Sequence, residues 1–251
     1  MQSEDWDKIA EDYFSHIESP FSPGVKNPLL THLKQIKGEN LSAIDLGCGI
    51  GNLIPFIKGI FPKVVCVDFS AEMLAKAQEK FGSQKHVEFL QGDLNNLSKF
   101  QDQFTHAFAI NSIVTPSIEA IKKQLSEVYG VLKKGGTAYF IFPALESDIL
   151  YAAIAYDRTV KGPYTEESAM NHTEKKIDIN SYNFLFGLYE EEGKQKHYFK
   201  IELEYRLEKA GFTNLQFDRV LYPWEKCTDA SLRKCGERLH LFDWFVRAEK
   251  F

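Results

Sequence analysis

The chain has 251 residues, 44% hydrophobic and 26% charged, with a formal net charge of -5 at pH 7 and a pI near 5.8. That length can bury a substantial core in one enlarged domain. An acidic chain whose Lys and Arg are scattered does not track a phosphate backbone, so nucleic acid is not an expected partner.

The polar, acidic N-terminus, residues 1–7, does not read as a leader. No apolar run approaches the roughly 20 residues that cross a bilayer. A cytoplasmic protein with no membrane partner is the expectation. The cysteines at 48, 66, 227 and 235 lack metal-ligand spacing and read as free thiols in a reducing compartment, so no metal is expected.

Residues 1–40 read as a helical lead-in, with Trp6, Ile9, Ala10, Tyr13 and Phe14 at helical spacing. Pro20, Pro23 and Gly24 break it, and a second helix is predicted over Val25–Ile36. Residues 41–144 then alternate strand and helix. Apolar runs predict strands at Ala43–Leu46, Lys63–Val67, Val87–Leu90, His106–Ile110 and Thr137–Phe142. Helices are expected at Asn52–Ile60, Ala71–Phe81 (capped by Ser70) and Ile118–Leu132.

Residues 145–200 lose this regularity: a helix over Asp148–Thr159, a polar stretch over Gly162–Lys176, then a hairpin with arms Tyr182–Tyr189 and Lys194–Phe199. Residues 201–251 supply a helix, Ile201–Ala210, and strands Leu215–Leu221 and His240–Glu249. The alternation predicts an α/β, doubly wound, mostly parallel sheet with its ligand site at the carboxyl ends of the strands.

Three strand ends carry the chemistry. After the first, Asp45 precedes Gly47, Gly49 and Gly51, which let the backbone approach a ligand closely. A carboxylate here would repel the pyrophosphate of a dinucleotide. It would accept the ammonium and sulfonium of S-adenosylmethionine, with S-adenosylhomocysteine as product. The second strand ends in Asp68, followed by Phe69 and Ser70; a carboxylate at that tip can accept both ribose hydroxyls. The third ends in Gln91-Gly92-Asp93-Leu94. Asp93 can accept from the adenine amine, and Leu94 and Met73 offer apolar surface to the ring. Asp68 can also be read as a helix N-terminal acid, and Asp93 as a turn residue.

On these residues, with Leu132-Lys133-Lys134-Gly135-Gly136, the chain resembles the class I S-adenosylmethionine-dependent methyltransferases, closely over about residues 40–143 and loosely over the last 50. The resemblance implies a seven-stranded, Rossmann-like sheet with an antiparallel last strand as a returning edge. It implies that Asn111 sits beside the methionine portion of the cofactor. It also implies that residues 1–40 form a lid, with Tyr13 over the cofactor, and that residues 145–200 are a substrate-side α+β insertion after strand five.

The acceptor is less legible. The insertion is rich in aromatics, among them Tyr151, Tyr182, Phe184, Phe186 and Tyr189, which suit the wall of an acceptor pocket or ordinary packing. Among the histidines, His86 and His106 lie at strand starts and read as structural. His16, in the expected lid, is the candidate catalytic base, with His197 as a second. The expected function is methyl transfer to an oxygen, nitrogen or carbon of a small molecule. A cofactor-binding but non-catalytic subunit, and more remotely a dinucleotide oxidoreductase, remain as rivals.

Overall fold

A computed structural model describes residues 18–176, 180, 182–189, 195–227, 232, 233 and 238–251. Tyr13 and His16 lie outside the described residues, as does the expected hairpin tip at 190–194.

The described chain opens with a turn over residues 19–24 and helix α1 (Pro28–Gln35). Asn27 caps α1, its Oδ1 accepting from Leu29 N–H at 3.0 Å while its Nδ2 donates to Pro20 O. The helix therefore starts three residues later than the periodicity predicts. Leu29 and Leu33 are buried against the sheet, His32 stacks on Phe245, and Lys26 and Leu221 exchange backbone hydrogen bonds. Residues 26–36 are thus built into the core, and Phe21 and Val25 pack against it.

Strands β1 (Ala43–Leu46), β2 (Val64–Asp68), β3 (Val87–Gln91), β4 (Phe104–Ile110) and β5 (Leu132–Pro143) follow. Helices α2 (Ile54–Ile57), α3 (Ala71–Phe81) and α4 (Ile118–Val131) link them. Ser70 caps α3 and Ser117 caps α4, each accepting from the N–H three residues on. Helix α2 is one turn rather than the nine residues expected over 52–60, because Gly51 keeps the chain in a turn before it and Gly59 ends it.

After β5 come α5 (Leu145–Val160) and α6 (Glu166–Lys176), then the short strands β6 (Tyr182–Asn183), β7 (Leu188–Tyr189) and β8 (Gln195–Lys196). The chain closes with α7 (Lys200–Lys209), β9 (Thr213–Tyr222) and β10 (Leu241–Glu249). The polar stretch expected over 162–176 is mostly helix. Thr165 caps it, Glu166 and Glu167 start it, and Lys175 and Lys176 end it, a charge order that complements the helix dipole. The expected hairpin arm Tyr182–Tyr189 is itself a hairpin. Its turn, residues 184–187, closes on Gly187 with φ of +59°, and β8 adds a third strand.

The main sheet has the order β3-β2-β1-β4-β5-β10-β9, parallel from β3 to β5 and antiparallel at both β10 pairings. The last strand is therefore not the edge, as the sequence reading had it: β10 is inserted between β5 and β9, where both its faces are covered. The alternation of Trp244 and Val246 against Phe245 fits that place, with each set in a different core.

Period-two side-chain direction splits the core. Ile44, Val65, Ala107 and Phe140 pack under α4 and α7, while Ala43, Val64, Phe108 and Tyr139 pack under α1, α2 and α3. The strand order reverses between β1 and β4, so the cleft opens at their carboxyl ends. Among the described residues no helix is long and apolar enough to cross a membrane.

Candidate functional site

The turn after β1 follows from its glycines. Gly47, Gly49 and Gly51 have φ of +73°, +52° and +84°, a region that side chains with a Cβ disfavour. Gly47 is also sterically closed: a Cβ there would overlap that of Ser112, at the end of β4. At Gly49, by contrast, nothing lies within 4 Å of where a Cβ would stand.

Asp68 ties this turn to the next helix. Its Oδ2 accepts from Gly49 N–H at 2.8 Å and its Oδ1 from Ser70 N–H at 2.9 Å. It therefore also holds the α3 N-terminus, the alternative reading of its role. Met73 is buried in the first turn of α3, and the Phe69 carbonyl accepts from Gln91 Nε2. Beyond β3, Asp93 is exposed and its Oδ1 closes a turn by accepting from the backbone and side-chain nitrogens of Asn95, beside buried Leu94.

Asp45 is buried, and its Oδ2 has no hydrogen-bond partner. Burial, with the nearby Asp68 carboxylate, pushes its pKa up to about 8. At the end of β4, Asn111 sits at φ of +49° and its Nδ2 donates to Asp243 Oδ2 at 3.0 Å. Its Oδ1 is buried and unpartnered, and so is Ser112 Oγ. The Asp243 carboxylate also accepts from Tyr222 O–H at 2.6 Å. Two donors on Asp243 fix the amide so that its oxygen, an acceptor, is the atom left over. Asp243 and Tyr222 were not singled out from sequence. The signal was there: a lone acid within the apolar run Leu241-Phe242-Asp243-Trp244-Phe245.

A second cluster lies at the end of β5. Asp148 Oδ2, in the first turns of α5, accepts from His197 Nδ1 at 2.6 Å and from Tyr182 O–H at 2.9 Å. Sequence reading named His197 without its partner, since 49 residues separate the two. His86 and His106 fall where expected. His86 bonds the Lys58 carbonyl through Nε2, and His106 packs between Phe61 and Tyr139, its burial pushing the pKa down to about 4. Cys48 and Cys66 are free thiols, and they and Cys227 are buried.

Three unpartnered oxygens beside an open glycine turn fit a ligand that brings hydrogen-bond donors and positive charge. A buried polar atom without a partner costs about 1–3 kcal/mol, and a cationic amine would relieve that cost. The methionine end of S-adenosylmethionine fits this donor requirement, and two further carboxylates, Asp68 and Asp93, stand at the neighbouring strand tips.

Comparison with known proteins agrees with this geometry. Residues 43–136 match a family model described as a methyltransferase domain. The chain is 34% identical over 114 residues to a demethylmenaquinone methyltransferase of Chlorobaculum tepidum, covering 45% of each chain. It is 27% identical over 102 residues to a malonyl-[acyl-carrier protein] O-methyltransferase of Pectobacterium atrosepticum, covering 41% of this chain and 38% of that one. The match thus spans less than half the length of these curated relatives. In fold it is similar to a solved S-adenosylmethionine-dependent methyltransferase from Methanosarcina mazei, with a TM-score of 0.61 at 17% identity over 90% of this chain and 98% of that one. Residues 43–136 thus carry a match to a methyltransferase domain, and the sheet with its glycine turn is similar in fold to S-adenosylmethionine-dependent methyltransferases.

Proposed function

We propose that this protein binds S-adenosylmethionine across the tips of β1 to β4 and catalyses transfer of its methyl group to a small-molecule acceptor. The observation that carries the reading is the pair of buried, unpartnered acceptors, Asp45 Oδ2 and Asn111 Oδ1, beside the open glycine turn.

In this reading Asp45 and Asn111 hold the methionine ammonium. Asp68 accepts from the ribose hydroxyls while keeping its bonds to Gly49 and Ser70. Asp93 meets the adenine amine, with Phe69, Met73 and Leu94 around the ring. The cofactor supplies a methyl group on a positively charged sulfur that needs no further activation. What the chain contributes is positioning, exclusion of water and, for a hydroxyl acceptor, a place for the proton. Tyr13 over the cofactor and His16 as a base stay part of the proposal only as sequence expectations, since neither is among the described residues. The relatives' names span a quinone and an acyl-carrier substrate, so they leave the acceptor class open.

Calorimetric titration with S-adenosylmethionine and S-adenosylhomocysteine, with NAD as control, tests this. Binding of both adenosyl ligands and not of NAD is expected, and Asp68→Ala should weaken it by roughly 1.5–3 kcal/mol, the scale of hydrogen bonds to a charged group. Absence of adenosyl-ligand binding would remove the reading.

A further inference from the structure

The segment Lys196-His197-Tyr198 is clamped between two strand tips. Lys196 N–H donates to Val114 O at 2.9 Å, just beyond β4, and the Tyr198 hydroxyl donates to Ile113 O at 2.7 Å. On the other side Tyr198 N–H donates to Pro143 O, the last residue of β5, and Leu145 N–H donates back to Tyr198 O. Lys196 and Tyr198 are fully buried on the same side, with the ammonium 4.3 Å over the phenol ring. Their ammonium and hydroxyl are taken by Glu202 and Ile113. In an extended segment the intervening residue points the other way. His197 accordingly lies on the opposite side, with its side chain 20% exposed and Asp148 beside it at 31%.

We propose that His197 is the base that takes the proton from a flat, neutral, phenol-type acceptor held between the tips of β4 and β5, with Asp148 and Tyr182 as its positioning residues. This rests on the methyltransferase reading. A carboxylate bound at Nδ1 keeps the proton on that nitrogen and leaves the Nε2 lone pair as the acceptor, and no hydrogen bond to Nε2 occurs among the described residues. Tyr182 strengthens the arrangement because its hydroxyl stays protonated: burial and the Asp148 charge hold its pKa far above the usual phenol range.

The groups that face the imidazole decide the acceptor. Asp148 comes from α5, Tyr182 from β6, and the charge of Asp243 reaches it from β10, where Tyr222 and Asn111 bond that carboxylate. A carboxylate acceptor would meet two like charges and needs no base. An ammonium acceptor would be held protonated by the same two acids and so lose its nucleophilic lone pair. A neutral hydroxyl escapes both penalties. Phe184 and Tyr189 lie against Tyr182 with ring centroids 4.8 and 4.9 Å away, which gives a flat ring an aromatic wall.

The step balances with the sulfonium methyl donor. His197 Nε2 takes the hydroxyl proton as an oxygen lone pair forms the new bond to the methyl carbon. The carbon–sulfur bond breaks with its electron pair left on sulfur, which becomes a neutral thioether. The proton leaves the imidazolium for solvent, and Asp148 stabilises that cation while it lasts.

The test uses 4-nitrophenol as probe and the full chain with S-adenosylhomocysteine, whose binding is followed separately by calorimetry. Its phenolate is yellow, so absorbance reads the proton position without turnover. The expected result is enrichment of the phenolate band on binding to the wild-type complex, below the pH at which the free probe ionises. The enrichment should fall at least tenfold in His197→Asn and severalfold in Asp148→Asn, with S-adenosylhomocysteine affinity unchanged. No enrichment in the wild type, or equal enrichment in both variants, while S-adenosylhomocysteine still binds, overturns the assignment of His197 and leaves the methyltransferase reading standing. Failure of S-adenosylhomocysteine to bind the wild type removes that reading and this inference with it.

Discussion

The glycine turn with its strand tips and the insertion after β5 are built on opposite principles. The turn is held through its backbone N–H groups: Gly47 and Cys48 donate to Val67 O, Gly49 and Ser70 donate to the Asp68 carboxylate, and Gly92 donates to Asp68 O. Every strand beneath it is buried on both faces except the edge-ward β3. Outside its clamped segment 196–198, the insertion is held by a few side chains. Helix α5 buries only Leu145 and Ala155, and α6 only Ala169 and Thr173. Large apolar groups stay outside, with Met170 54% and Leu185 80% exposed. A site held by backbone geometry tolerates little change, whereas one assembled from side chains on a thinly buried excursion can be altered without disturbing the sheet.

Breaking the rigid half should cost most. Gly47→Ala combines a positive φ with overlap of Ser112, so about 3 kcal/mol of stability should be lost, from the left-handed penalty and the steric clash together. Gly49→Ala has the same kind of φ and free space, so only about 1 kcal/mol should be lost, but its methyl projects from the turn proposed to hold the cofactor and should abolish adenosyl-ligand binding. Denaturant melts and calorimetry on both variants would separate the two. Equal stability losses would contradict the packing of Ser112 on Gly47.

Asp45→Asn sharpens the comparison through pH. The folded-state pKa of Asp45 is raised, to about 8 from 3.8, so the folded state holds this proton more tightly than the unfolded chain does. The contribution of Asp45 to stability is complete below about pH 4, is lost progressively up to about pH 8, and is flat above. The variant, which cannot ionise, should therefore gain melting temperature over the wild type as pH rises from 5 to 8, while binding S-adenosylmethionine more weakly. A variant that tracks the wild type at every pH would place Asp45 in a better-solvated site than the one described.

The smallest effect belongs to the insertion. Leu185→Ser, at the tip between β6 and β7, should shift stability by less than about 0.5 kcal/mol because little of the side chain is buried. A loss of more than 1 kcal/mol would mean that the hairpin tip packs on something, and the contrast between the halves would fail.

Much of the rigid half was legible because its instructions are local. Asp45 and the three glycines sit within seven residues, Ser70 caps the helix that begins at the next residue, and the apolar runs of β1, β2 and β4 each fit a strand buried on both faces. Boundaries drifted where a neighbour overrides local preference, as where Asn27 delays α1 until Pro28.

The insertion hid its helix. The stretch over 166–176 buries only two residues, too few to write an apolar period, so only its Thr165 cap and end charges marked it. The cluster around Asp148 was illegible for a different reason. Asp148, Tyr182 and His197 come from three elements, and no spacing in the chain announces that they share one carboxylate oxygen.

By itself, then, the sequence determined the strand–helix alternation, the glycine turn and the acids at three strand tips, because each depends on residues a few positions apart. Only the tertiary structure decided that β10 enters between β5 and β9, so that Asp243 reaches Asn111 and turns its amide oxygen free. It also decided that residues 196–198 are clamped between the tips of β4 and β5, so that His197 meets Asp148. Those contacts depend on chain segments dozens of residues apart, brought together by burying both faces of one sheet, and burial does not depend on sequence distance.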